Sequence, residues 1–545
     1  MKGKKLITLL LVLVLAVSVM LAGCGKNDEP APAEDKGQQE EKAPDNNANK
    51  GKALKLKVEI FDRGNSPQGS TMKDNPIANW IVQEVKESTN VEVEFVSVPR
   101  SEEVAKLNVM MASSTAPDIV FTYNQDLVAN YAKNGGLTDL EPYIEEFGPE
   151  IKKNFGDFLQ YGQFYGKQYA ITGKGPVTGA AHVSYIRKDW VEKLGAELPT
   201  SKEEVFTLLR RFKEEDPGNV GKDNVVPYAM AAGKTEKYYE NFVLSYADKL
   251  EEKDFYIYDE YLRIIRPGTK EGYRKLNELY NQGLISPDFA LDTSEKQYKQ
   301  DIASGLAGFF TDDRLKPVDQ GWITALQKNV EGGELWPVNC FENAEGEYYR
   351  NAGSRLGLRI MVPKANEKNA EAAIKYLNWM ADMKNYANIK YAMEGVNFKY
   401  DEQGIPEFTT TMEDREKQGI AKTYMNDYAI LYRNLDFGSQ DKNKLLDVKK
   451  YQADYPEELI STIWNVRFDG IPYDRPYFTI PVEADSKFGP NLKTVLREMA
   501  AKVIICTPEQ FDQVWETEYN KFMEAGGSKV YEERASVYDE MKSTK

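Results

Sequence analysis

Histidine is all but missing: His182 stands alone in 545 residues, and cysteine occurs three times, at Cys24, Cys340 and Cys506. So few imidazoles and thiols exclude the common zinc clusters, and a Ser-His-Asp triad would have to be built on His182. Positive charge is also in deficit, with 70 lysines and arginines against 86 aspartates and glutamates and a net charge of −16. Removal of Lys2, Lys4 and Lys5 with a leader would take the net to −19, and such a surface repels phosphate backbones, so no nucleic-acid partner is expected. Beyond the first two dozen residues there is no long apolar run and no repeat of fixed period, which argues against a permease, a channel or a solenoid. What is plentiful is aromatic rings: 33 Tyr, 23 Phe and 7 Trp. The length predicts two or more domains at about 150 residues each.

The single apolar run lies at the N-terminus. Lys2, Lys4 and Lys5 precede residues 6–22, interrupted only by Thr8 and Ser18, and the pattern reads as a secretory signal over residues 1–23. It ends in Leu21-Ala22-Gly23-Cys24, which has the form of a bacterial lipobox; there the cysteine is diacylated, and two acyl chains anchor stably where one does not. The alternative is an uncleaved helix with an incidental cysteine. Against it, residues 25–53 hold no apolar side chain larger than Ala or Pro and read as a disordered tether. The expected location is the extracellular face of the cell membrane, with Cys24 palmitoylated. Export permits a disulfide, but Cys340 and Cys506 are distant in sequence and two unpaired thiols are the expectation.

From Leu54 the chain becomes periodic. Leu56, Val58 and Ile60 alternate in LKLKVEIF, a helical NPIANWIVQEVKEST follows, and Val91, Val93 and Phe95 alternate in VEVEFVSV. Ser101 can cap a helix with Val104, Leu107 and Met111 on one face, before the short apolar strand of PDIVFTYN. This order predicts a parallel α/β sheet whose ligands sit beyond the carboxyl ends of the strands. Further on, Gly195 ends one helix and Thr200 and Glu203 form a capping box for the next. SGLAGFF, RLGLRIMVP and a helix with Ala370, Ile374, Leu377 and Ala381 on one face complete the reading.

The succession of lipobox, acidic linker, KVEIF, LNVMMASSTAPDIV, YIRKDWVEKLGAELPTSKEEV, YAMEGVNF and FDQVWETEYNKFMEAGGSKVYEE resembles the family 1 solute-binding lipoproteins of bacterial ABC importers. Within them it is most similar to the LplA-like group that includes alginate-binding proteins, over essentially the whole body. The resemblance implies a periplasmic-binding-protein-like fold of two α/β lobes that close on a ligand by hinge motion and do no chemistry. It implies an oligosaccharide ligand, ABC permease subunits as partners, and a monomer. Lobe I would comprise residues 54–171 and 311–363, and lobe II residues 172–310 and 364–545 with a helical C-terminal extension. Many relatives hold calcium in a loop like that of an EF-hand, at the place of DPGNVGKDNVVP here. Asp216, Gly221, the Lys222 carbonyl and Asn224 fit it, but Gly218 and Val220 bring no side-chain oxygen and Val225 replaces an acid. A polar turn is therefore expected, with no metal and no cofactor.

Sugar recognition needs flat aromatic faces and planar polar groups in a partly dry cleft. Asp62 and Arg63 follow the first strand, Tyr123, Asn124 and Gln125 the third, and Thr311, Asp312 and Arg314 the SGLAGFF run. Trp464, Arg467 and Phe468 stand in a stretch read as irregular and Pro-rich, and Arg355 and Tyr424 are added as candidates. Each is otherwise an exposed loop residue or a cap. Trp190 is expected in the core and His182 in a structural role. Arg63, Arg314, Arg355 and Arg467 leave acidic and neutral glycans both open. The competing functions are a secreted polysaccharide-degrading enzyme, for which a carboxylate pair would suffice, and a ligand-sensing or peptide-binding co-receptor.

Overall fold

Asparagine and proline fix where the first helix begins. In the computed structural model, residues 52–543 are described apart from 176–178, 233–235, 352–354, 421, 433–438, 474–476 and 478–479; the leader, Cys24 and the tether up to residue 51 lie outside them. Strand β1 (Leu54–Asp62) leads to helix α1 (Pro76–Thr89), whose cap Asn75 accepts from the N–H of Ile77 at 3.1 Å and of Ala78 at 2.9 Å. Pro76 occupies a first-turn position whose N–H would have no helical partner. Asn90 closes the helix at φ 57°, a left-handed geometry that asparagine tolerates, and β2 (Val91–Pro99) then runs parallel to β1. Next come β3 (Val120–Thr122), α2 (Gln125–Lys133) and β4 (Ile171–Lys174).

A second sheet is made from β5 (His182–Arg187), β6 (Val226–Tyr228), β7 (Ala307–Asp313) and β8 (Leu335–Val338), in the order β8-β5-β7-β6. Only β6 and β7 are parallel in it. Strand β9 (Leu356–Met361) lies antiparallel between β3 and β4 in a three-stranded sheet, which a parallel bridge between Val58 and Ile119 joins to the β1–β2 pair. Both sheets are thus mixed, whereas the alternation of strands and helices had predicted parallel ones. The helix at Lys202–Glu215, α3, starts one residue later than its expected box. Ser201 accepts from the Glu204 N–H at 3.4 Å, and the Glu204 carboxylate accepts from the N–H of Thr200 at 2.8 Å and of Ser201 at 3.2 Å.

By backbone proximity residues 52–545 form one unit, yet their side chains form two large cores. The first unites residues of 56–171 with residues of 358–446; the second unites 183–341 with 448–541. This corrects the expected segment boundaries at two places. Residues 311–341 belong with the second core because β7 continues unbroken to Asp313, pairing Asp312 with Val183 and Asp313 with His182. Residues 364–446 belong with the first because α4 (Ala370–Ala381) buries Ala373, Ile374 and Leu377 among Ile77, Ile81 and Val85 of α1. The second core is completed by α5 (Glu457–Phe468), α6 (Glu483–Ile505) and α7 (Ser528–Ser543).

Candidate functional site

A cleft of about 530 Å³ opens where the two cores meet, within the size range of small-ligand sites. The first core lines it with residues from the end of β3, the start of α2 and β9; the second adds the 259–261 segment, Tyr477, the first turns of α6, and Arg534 of α7. A second hollow, about 550 Å³ around Asn108, Met111, Tyr131 and Asn366, is lined from the first core's side alone and carries no charge but that of Lys364. The two volumes do not separate these sites. The convergence of rings and planar polar groups from both cores does.

Four tyrosines supply the flat surfaces: Tyr123, Tyr161, Tyr261 and Tyr477. Tyr161 and Tyr477 meet edge to face at 4.8 Å, and the Tyr477 hydroxyl donates to the Tyr161 carbonyl at 2.8 Å. Tyr123 lies under the Arg100 guanidinium at 5.4 Å, which holds its ring. Asn124 caps α2 by accepting from the Leu127 N–H at 3.0 Å. Its amide hydrogens are spare donors in that geometry. Gln125 accepts from Arg359 at 3.3 Å, and Arg359 also donates to the Gly357 carbonyl at 3.0 Å. Arg359 is 6% exposed, its Nε has no partner, and burial lowers its pKa.

On the opposite wall Asp485 binds Arg534 through both oxygens, at 2.7 and 2.9 Å, and accepts from Tyr261 at 2.9 Å. Arg534 spends its remaining reach on the carbonyls of Ile257 and Asp259. Asp126, from the first turn of α2, crosses to this wall and accepts from the Val482 backbone and the Ser486 hydroxyl. Burial, and then the charges of Asp485 and Glu260, raise its pKa to about 7. Five carboxylates (Glu103, Asp126, Asp259, Glu260, Asp485) face four cations (Arg355, Arg359, Lys493, Arg534) in the lining. The cleft as a whole is therefore no anion trap.

Of the residues expected from sequence, the structure brings Tyr123, Asn124, Gln125 and Arg355 to this cleft. Asp62 and Arg63 stay outside its lining. Asp62 is used by the Gly64 N–H at 2.8 Å and the Ser97 hydroxyl at 3.2 Å, while Arg63 clasps Asp427 at 2.9 and 3.0 Å. Thr311 and Asp312 are fully buried, contrary to expectation. Thr311 bonds Ser184 at 2.9 Å, and Asp312 is neutralised by Lys237 at 2.9 Å and Lys316 at 3.2 Å. Tyr424 is likewise a core ring whose hydroxyl donates to the Gly419 carbonyl. Trp464 lies in regular helix α5, 5% exposed, donating to Asp447 at 2.8 Å. Phe468 stacks on it at 4.9 Å, and Arg467 lies over both rings; Arg314 is half-buried nearby.

Other expectations resolve locally. Trp190 is in the core, and His182 stands 3.3 Å from Glu240 and 3.5 Å from Asp313. Cys340 and Cys506 are unpaired thiols. The calcium-like loop does not fit the ion: Asp216 turns its oxygens to the N–H groups of Val220 at 3.0 Å and Gly221 at 2.8 Å, and Asn224 donates to the Val220 carbonyl. Gly218 is pressed on the Trp190 ring, where a Cβ would come within 2.5 Å. Sequence reasoning missed Tyr161, Tyr477, Arg359 and the α6 turn. Tyr477, in the same Pro-rich stretch as the expected residues, carried the one available signal.

The sequence matches the family described as bacterial extracellular solute-binding protein over residues 74–387. It is 24% identical over 489 residues to the polygalacturonan/rhamnogalacturonan-binding protein YtcQ of Bacillus subtilis strain 168, covering 86% of this chain and 89% of that one. Among solved structures it resembles alginate-binding protein AlgQ2 without calcium ion (TM-score 0.62, 19% identity, 90% of this chain and 98% of that one). It also resembles the ABC-transporter substrate-binding protein FusA of S. pneumoniae in complex with kestose (TM-score 0.65, 15% identity, 90% and 100%). These likenesses establish a periplasmic-binding-protein-like fold.

Proposed function

The chain belongs to the bacterial extracellular solute-binding proteins, and from that premise we propose that it captures an oligosaccharide in the cleft between its cores and delivers it to the permease subunits of an ABC importer. The observation that carries this reading is the lining: tyrosine faces from both cores beside the planar groups of Asn124, Gln125, Arg355 and Arg359. Rings of this kind pack on the C–H face of a sugar while amides and guanidinia bond its hydroxyls. YtcQ, FusA and AlgQ2 are each named for a saccharide ligand, which supports the ligand class. The protein works as a monomer held at the extracellular face of the cell membrane by acylated Cys24 and reaches its permease on the tether of residues 25–53.

A panel of neutral and acidic oligosaccharides and of peptides, screened by thermal shift, tests the function. A ligand at 100 times its Kd stabilises the folded form by about 2.7 kcal/mol. Stabilisation by a glycan is expected, and stabilisation by peptides alone would overturn the reading. Cys24→Ala is expected to move the protein from the membrane fraction to the medium.

A further inference from the structure

Helix α6 begins without a cap of its own. The first four N–H groups of a helix find no partner within it, and Val482 at the N-cap brings no side-chain acceptor. Each of these donors is nonetheless met. Asp485 donates back to the Val482 carbonyl at 3.2 Å, and the Glu533 carboxylate of α7 accepts from Glu483 at 2.7 Å and from Ala484 at 2.8 Å, all within the second core. The remaining donor, the Val482 N–H, goes to Asp126, which also takes the Ser486 hydroxyl. Asp126 comes from α2, on the other wall of the cleft. Seven residues on, two turns along the same face of α2, Lys133 reaches Glu483 at 3.2 Å. Both members of that ion pair are exposed, and such a pair holds little, so the cap is the contact that matters.

A carboxylate in this place meets like charge. Burial first, then Asp485 of α6 and Glu260 of the 259–261 segment, raise the Asp126 pKa to about 7. The cations around it are engaged elsewhere. Arg534 of α7 holds Asp485 at 2.7 Å, Lys493 of α6 stands 3.6 Å from Glu260, and Arg359 of β9, on which the Asp126 charge acts, donates to Gln125 and to the Gly357 carbonyl. Of the other acids, Glu533 accepts from its two N–H groups, Glu483 from Lys133, and Glu103 pairs with Arg100 at 2.6 Å, while Asp259 offers its carbonyl to Arg534. Tyr477, which crosses to the Tyr161 carbonyl, is pushed up to about 12 by burial and stays neutral at the pH values that titrate Asp126. With the cleft open, Asp126 stands in water, where its carboxyl ionises near pH 4. The protonated acid keeps a carbonyl oxygen for Val482 and Ser486, whereas the ionised one adds a charge that Asp485 and Glu260 repel. Closing thus takes up a proton: the help it gives is complete below about pH 4 and is gone above about pH 7.

We infer that Asp126 is the latch of the cleft, a positioning residue that caps α6 from across the opening while protonated and releases it when ionised, so that the protein closes more firmly in acid than in alkali. The inference rests on the reading that this cleft closes on a ligand, and it adds what sets the strength of the closure. Latch and ligand site share their helices: Asn124 and Gln125 at the start of α2 line the cleft, as do Gly489 and Lys493 of α6. A ligand that draws the walls together therefore also seats the cap.

Small-angle scattering of the exported protein without ligand, from about pH 4.5 to about pH 8.5, tests the inference. With one proton taken up on closing, the ratio of closed to open form is expected to fall up to about tenfold per pH unit on the way to pH 7, and the radius of gyration to grow with it. Asp126→Asn keeps the acceptor oxygen and cannot ionise, so its radius stays at the acid value throughout. Asp126→Ala removes the acceptor and shows the larger radius even in acid. A radius that ignores pH in the natural protein, or that grows as much in Asp126→Asn, overturns the inference. So does an Asp126→Ala protein whose Tm falls while its radius still follows pH, since Asp126 would then serve folding alone. No glycan enters the measurement, so the latch stands or falls apart from the oligosaccharide function, which the glycan panel decides.

Discussion

Arg187 and Arg467 both lie on aromatic rings in the second core, Arg187 at 4.6 Å over Trp190 and Arg467 at 4.8 Å over Trp464, and both are sealed from solvent. Around Arg187 the donors are used up. Nε and Nη2 bind the two oxygens of Asp189 at 2.7 Å each, and Nη1 binds the Gly305 carbonyl at 2.8 Å. Around Arg467 no ion pair forms among the described residues, although the charge of Asp447, bonded to Trp464, acts on it. The first arrangement fastens the YIRKDW strand to its helix and is complete within the chain. The second has the same ring beneath it but leans on a carboxylate, that of Asp447, which is tied to Trp464 and gives it no direct bond.

Removal of each charge should pull the comparison apart. Arg187→Met leaves Asp189 buried and unpaired, and the expected cost is about 3–5 kcal/mol in urea-melt stability. A loss below about 1 kcal/mol would erase the contrast with Arg467. Carboxylates show the same contrast on a smaller scale, between the paired Asp189 and Asp126, which has no ion pair among the described residues. With its folded pKa raised to about 7 from 3.8, Asp126 is protonated in the folded state while the unfolded carboxyl ionises near pH 4. Its contribution is therefore complete below about pH 4 and is lost as pH rises through 7. Asp126→Asn should stabilise by about 1–2 kcal/mol above pH 7 and do nothing below pH 4. A pH-independent difference between the two melting profiles would show that Asp126 does not titrate there. The smallest effect is expected at Arg63, paired with Asp427 but one-third exposed. Arg63→Met should cost at most about 1 kcal/mol and leave ligand affinity as it was.

The elements and the family were legible because local patterns carry them: Asn75-Pro76, the alternation in β1 and the YIRKDW run are statements about neighbours in sequence. The cleft was half legible. Tyr123, Asn124 and Gln125 were found from a strand end, since topology says where strand ends point. The same rule failed at Thr311 and Asp312, because β7 is an interior strand whose end is roofed by Lys237 and Lys316. Trp464 was misread because prolines downstream of it suggested an irregular path, whereas α5 stays helical through Phe468. Arg359 could not be found at all. Its place in β9 reads as one more buried strand position, and only the antiparallel return of that strand between β3 and β4 brings it to the cleft.

That return has a further consequence. The first core needs residues from 56–171 and from 358–446, and the second from 183–341 and from 448–541, so neither can be completed from one continuous stretch. As the chain emerges from its N-terminus, β3 and β4 have no strand between them until β9 arrives, and the second core waits for α5, α6 and α7. A polypeptide threaded through a membrane pore must not lock into shape while half of it is still inside the cell. Here the order of the pieces leaves the first core incomplete until Leu446 and the second until Met541 has been added.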